Sequence, residues 1–89
     1  VTARKKQRKR QLRAEFRRAF GHRLDMALNI EGLSQIALGR LLDSGSGDVC
    51  RWVHGQTEPG VWVVSRLEEL LPTINILWLL TGKGNILKS

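Results

Sequence analysis

Between Leu33 and Gly55 the chain carries two short runs of helical periodicity, separated by a segment that cannot continue a helix. This stretch constrains the fold more than any other. Ile36, Leu38, Leu41 and Leu42 are read as lining one side of a first helix, and Val49, Trp52 and Val53 one side of a second. Between them Asp43-Ser44-Gly45 breaks the pattern, because Asp and Gly tolerate the left-handed backbone of a sharp turn. Gly39 carries no side chain where the two helices would touch, so their backbones are able to approach. The expectation is a pair of helices crossing over a tight turn, the second with a polar outer face.

The flanking sequence predicts three more helices. Leu12, Phe16, Phe20, Leu24 and Leu28 recur every four residues, so a long helix runs from Leu12 to about Asn29–Gly32. Residues 1–11 are too polar to pack and form a basic arm, into which the Gln- and Arg-rich helix is able to extend. Ser34 caps the second helix, over about residues 34–42, and the third runs over about 46–54. Residues 55–60 form a loop. A fourth helix over about 61–71 places Val61, Val64, Leu67 and Leu71 on one side, and Pro72 stops it. Asn75 caps a short fifth helix over Ile76–Thr81, which Gly82 ends. No strand pattern and no internal repeat is present. The expected architecture is an all-α, compact five-helix domain over residues 12–89 with the arm at 1–11.

The 89 residues are enough for one core without staples, and the single Cys allows no internal disulfide, so a reducing cytoplasm is the expected compartment. No segment approaches the ~20 continuous apolar residues of a membrane span, and the first residues lack a secretory signal core. Charge is unevenly placed. Residues 1–23 hold ten Lys or Arg against Glu15 alone, a net +9, and the rest hold five against seven acids, a net −2, which together give the chain's +7. A basic arm on a nearly neutral body points to a polyanion such as DNA, RNA or an acidic surface; the plain alternative is a solvated tail.

Leu33 through Gly55 resembles, without a gap, the helix-turn-helix of phage CI/Cro-type repressors. Gly21-His22-Arg23-Leu24-Asp25-Met26-Ala27-Leu28 is similar to that family's first helix. Pro59, an apolar helix and then Trp78-Leu79-Leu80-Thr81-Gly82-Lys83-Gly84 resemble the close of its N-terminal domain. The likeness covers about residues 16–84. It implies a lambda-repressor-like, all-helical domain that binds a palindromic operator as a dimer, with a helix in the major groove. Gln35 is similar to the family glutamine that bonds a phosphate and braces the recognition helix. Ser46, Gly47, Cys50 and Arg51 occupy its base-facing positions. The sequence departs from the family at Asp43, Ser44 and Gly45, where a glycine, a small apolar residue and a Ser or Thr cap are usual. Gly47 has no side chain with which to read a base.

Taken singly, Arg51 is the best candidate for base readout, since a guanidinium forks onto the O6 and N7 of guanine; its other reading is a phosphate contact or an ion pair with Asp48. Ser46 serves equally as a helix cap. Cys50 is small enough to approach a thymine methyl, or is simply an exposed thiol. Ser34, Gln35, Ser44 and His54, with Arg4, Lys5, Lys6, Arg8, Lys9 and Arg10 of the arm, are the expected phosphate contacts. Cys50 and His54 stand four apart but lack a Cys-x-x-Cys partner, so no metal is expected. Gly82-Lys83-Gly84 falls short of a phosphate loop, and no strand precedes it. Neither Ser44 nor Ser65 with Lys83, nor Glu68-Glu69, makes a catalytic set; no enzyme activity, cofactor or small-molecule substrate is expected.

Trp52 and Trp78 are expected in the core. Val61-Trp62-Val63-Val64 is apolar all round its helix, and Ile86-Leu87 adds apolar surface beyond the last one. Trp62, Val63, Ile76, Ile86 and Leu87 are therefore the expected seam of a homodimer. Two other readings fit the same features: a protein-interaction module such as an antirepressor or assembly adaptor, and an RNA binder acting through the arginine-rich arm.

Overall fold

The computed structural model describes residues 2–89, with side chains from Arg4 onward other than that of Ser46. Helix α1 (Thr2–Glu31) is continuous over 30 residues. At 1.5 Å per residue it is about 45 Å long, which matches the 45 Å longest dimension of the molecule. The boundary at residues 11 and 12 is thus not a break in secondary structure: the basic arm is the first turns of α1. Helix-favouring Gln, Arg, Lys and Ala carry the chain through it. Gly32 ends α1 in a left-handed conformation (φ 70°), with its N–H on the Asn29 carbonyl at 3.3 Å and that of Leu33 on the Leu28 carbonyl at 2.9 Å.

Four short helices complete the chain: α2 (Gln35–Leu41), α3 (Ser46–Val53), α4 (Val61–Leu70) and α5 (Ile76–Thr81). The molecule is all-α. Among the described residues the only β feature is a single antiparallel bridge, Ile74 with Leu87. Ser34 caps α2 through Oγ, which accepts from the Ala37 N–H at 3.0 Å. Asn75 caps α5 through its carbonyl oxygen on the Leu77 N–H at 3.1 Å, and Gly82 ends that helix at φ 77°. Both caps and both stops lie where the local sequence predicts them.

In the turn between α2 and α3, Asp43 takes the left-handed backbone (φ 53°), as an Asp there is able to, and Gly45 is an extended N-cap residue (φ −70°) with no side chain to bond. Ser46 is therefore the first residue of α3 rather than its cap.

One core joins the helices. Phe20, Leu24, Ala27 and Leu28 of α1 meet Leu38 of α2 and Leu42 beyond it, Val49 and Trp52 of α3, Leu67 of α4, Leu79 of α5, and Leu71 and Ile74 between them. Phe16 stacks on Phe20 at 5.9 Å between ring centroids. Several expected core residues lie outside it. Leu12 is exposed because the body does not reach that far along α1. Ile36 is 57% exposed: at ~100° per residue it lies about 160° round α2 from Leu38, so a seven-residue helix cannot bury both. Leu41 is exposed on the near flank of the same helix. Val61, the first residue of α4, is 87% exposed.

Helices α1 and α3 pack backbone against backbone. A Cβ at Gly21 would stand 2.4 Å from the Trp52 carbonyl oxygen and 2.6 Å from that of Val53, so only glycine permits this approach. Gly55, just past α3 at φ 72°, sits against the backbone of Arg18 in the same seam. Gly39, expected at the helix contact, is buried.

Candidate nucleic-acid interface

Helix α3 is held by its inner face and presents the other. Val49 and Trp52 are buried, whereas Gly47, Cys50, Arg51 and His54 are exposed, and their spacing puts them on one stripe. These are the positions expected to face DNA, apart from Ser46, whose side chain lies outside the described residues. Gly47 offers only backbone; a Cβ there would meet nothing nearer than Arg51 Nη1, at 3.6 Å.

Arg51 is paired with Asp48, one turn before it, through Nη2 and Oδ1. The other carboxylate oxygen of Asp48 accepts from the Ser44 hydroxyl at 3.3 Å. Ser44 is half-buried, and its hydroxyl hydrogen is already directed at Asp48. His54 folds back on its own helix. Its Nδ1 is 2.8 Å from the Cys50 carbonyl oxygen, and since a carbonyl only accepts, Nδ1 carries the proton in that contact. The Cys50 thiol lies 3.4 Å from the same nitrogen. Among the described residues, no group of three His, Cys, Asp or Glu side chains is placed to hold a metal.

Apart from Ser44 and His54, the expected phosphate contacts fall in two places. Ser34 and Gln35 sit at the start of α2. The Ser34 oxygen is engaged as an acceptor, which leaves its O–H to donate outward. Gln35 is half-buried in the first helical position. Arg4, Lys5, Lys6, Arg8, Lys9 and Arg10 are all exposed on the first turns of α1, where the helix runs beyond the body and presents cations on every side. Their helical placement follows from α1; Val1 and the side chains of Thr2 and Ala3 lie outside the described residues.

Three cations of the basic segment have other work. Arg23 is half-buried and donates from Nε to the Leu79 carbonyl at 2.8 Å and from Nη2 to the Leu80 carbonyl at 3.1 Å. It closes the last turn of α5, where a cation also suits the helix dipole. Burial lowers its guanidinium pKa from the ordinary value. Arg13 (2.5 Å) and Arg17 (3.3 Å) both reach Glu58 in the loop after α3. Sequence periodicity gives no sign of these contacts, which join residues far apart in the chain. A lone glycine at position 21 inside a long helical pattern was the one available signal for the α1–α3 seam.

The expected dimer residues divide. Trp62 (63% exposed) and Leu87 are open to solvent. Val63, Ile76 and Ile86 are instead partly buried against this chain's own core, and residues 86–88 fold back on 73–75. That return is fixed by bonds from the Asn75 N–H to the Ile86 carbonyl and from the Lys88 N–H to the Thr73 carbonyl, each 2.9 Å. Trp52 is buried, as expected, and Trp78 packs partly buried against the core. No helix among the described residues is long and apolar enough to cross a membrane.

Comparison with protein-family models, with curated proteins and with solved structures finds no match for this chain.

Proposed function

We propose that the chain is a sequence-specific double-stranded-DNA-binding transcriptional repressor of phage or prophage CI or Cro type, acting in the cytoplasm and needing no cofactor. The observation that carries the reading is the exposed stripe of α3, with Arg51 on it, on a helix fixed across a tight turn from α2 and carried by the same α1 that bears the exposed cations. Phosphate contacts from the arm and the start of α2 supply affinity and orientation, and α3 supplies base contacts in the major groove. One such helix reads only a few base pairs. A two-fold pair spaced by one turn of DNA, about 34 Å, reads both halves of a palindrome, and Trp62 and Leu87 are the open apolar groups for such a pair.

A gel-shift series on duplex DNA and on structured RNA across a range of salt tests this. Duplex binding that selects a palindrome from random sequence is the expected result. Preference for RNA would assign the chain to arm-driven RNA recognition. No nucleic-acid binding even at low salt would leave the fold as a protein-interaction module.

A further inference from the structure

The two carboxylate oxygens of Asp48 are divided between two elements. Oδ1 holds Arg51 on the exposed stripe of α3, and Oδ2 accepts from Ser44 in the turn at 3.3 Å. One carboxylate thereby ties the arginine best placed to read a base to the turn that sets the helix. The geometry points to Asp48 as the residue that sets how sharply α3 discriminates between sequences: a positioning residue that acts through Arg51. This rests on the reading of α3 as the DNA-facing helix.

Two physical effects act in the same direction. An arginine side chain is long and loses much rotamer freedom when it docks. A guanidinium already held at Nη2 loses less, and it still offers its other donors for a fork onto guanine. The second effect is repulsion. Arg51 and Asp48 are about half exposed, at 50% and 42%, so the carboxylate faces whatever the stripe approaches. A phosphate taken by Arg51 in an arbitrary register would lie beside that negative charge. A guanine edge, which is uncharged, would not. Asp48 thus weakens the registers held by phosphate and spares the one held by a base. Because an exposed i,i+3 pair adds little to folding, removal of the charge is expected to register in binding rather than in the fold.

The test uses the full chain as wild type, Asp48→Asn, Asp48→Glu, Arg51→Ala and the Asp48→Asn, Arg51→Ala double variant, each checked for folding by circular dichroism. Affinity is measured for a duplex selected from a random pool by the wild type and for a scrambled duplex of equal length. Asp48→Asn is expected to bind scrambled DNA more tightly and to lose about tenfold in the ratio of selected to scrambled affinity, within the range one bidentate base contact supplies. Once Arg51 is absent, Asp48→Asn should lower the ratio no further. In DNA-free protein, NMR relaxation of the Arg51 Nε–H should show an ordered side chain in the wild type, a mobile one in Asp48→Asn and recovery in Asp48→Glu. An unchanged ratio in Asp48→Asn, or an Arg51 equally mobile with and without the carboxylate, overturns the inference. So does a switch of preferred base at a neighbouring position, which would mean that Asp48 itself accepts from a cytosine amine. A wild type that enriches no duplex overturns the DNA reading and this inference with it; an Arg51 seen ordered by NMR in that case shows that it is the reading, not the ion pair, that has failed.

Discussion

Replacing Gly21 with alanine adds one methyl to the middle of a long helix, a change that normally stabilises. Here the structure reverses the sign. The new Cβ would lie 2.4 Å and 2.6 Å from two backbone carbonyl oxygens of α3, where ordinary contact begins at 3.4 Å. The end of α3 must therefore retreat by about 1 Å, and neither carbonyl has a flexible side chain to yield in its place. Overpacking of this kind costs about 1–3 kcal/mol, and the clash with backbone puts this site toward the upper part of that range. Alanine recovers about 1 kcal/mol of helix propensity, leaving a net loss of about 1–2 kcal/mol. For a domain of this size that lowers the melting temperature by roughly 5–15 °C, readable by circular dichroism or by fluorescence of the buried Trp52. Gly47→Ala is the matched control. It too is a helical glycine, but its Cβ would meet only a guanidinium nitrogen at 3.6 Å, so alanine should raise stability by about 0.5–1 kcal/mol. If Gly21→Ala melts at or above the wild type, the close approach of α1 and α3 is not as described.

Deleting residues 1–11 should weaken binding to selected and random duplexes alike and flatten a salt dependence that, for about six released counterions, has a slope near −5; a loss confined to the selected duplex would show that the arm reads bases. Arg51→Ala should cost about 1–3 kcal/mol on the selected duplex and relax preference at one base pair per half-site, whereas an equal loss on every sequence would make Arg51 a phosphate contact. Amide exchange in DNA-free protein should be fastest, among the helices of the body, over residues 44–49, where α3 begins without a side-chain cap, and should slow on DNA; strong protection there without DNA would contradict this. Sedimentation should find a dimer for the wild type and a monomer for the Trp62→Glu, Leu87→Glu double variant; a wild type that stays monomeric with and without a palindromic duplex removes those two residues from any dimer.

Local signals carried much of the fold. Asn75 and Gly82 bound α5 through interactions within one turn of chain, and the stripe Phe20, Leu24, Leu28 reports burial by spacing alone. The same logic fails where an element is too short to bury every apolar residue it carries, as at Ile36 and Leu41 on α2 or Val61 at the start of α4. It fails again where one charge has two plausible fates. Arg23 counts toward a basic segment in sequence but closes α5 in space, and Glu58 is 45 residues from the Arg13 it binds. For the candidate site, the stripe at 47, 50, 51 and 54 and the Asp48–Arg51 spacing follow from helical geometry. The Ser44 bond to Asp48 depends on the conformation of the whole turn, in which Asp43 is left-handed and Gly45 extended.

The two ends of α3 are held very differently, and the difference bears on how such a helix works. Its C-terminal half is fixed: Trp52 is buried, the Trp52 and Val53 carbonyls rest on Gly21, and Gly55 rests on Arg18. Its N-terminal half begins at an uncapped glycine, contains a second, and is tied to the turn by the Ser44–Asp48 bond and by the Asp48 N–H on the Gly45 carbonyl. A glycine at position 21 costs α1 about 1 kcal/mol against alanine, and what it provides is direct contact between the backbone of α3 and the helix that bears the cations. Arg13 and Arg17, gripping Glu58 in the loop after α3, reinforce that contact. If the first turns of α1 hold phosphate, as proposed, one continuous helix would couple that grip to the anchored end of α3. The end left adjustable is the end that carries Gly47, Asp48 and Cys50. On the proposed reading, affinity and discrimination would reside in separable parts of one body, so substitutions in the arm should change binding to all sequences alike, and Asp48→Asn should change the ratio between selected and scrambled DNA.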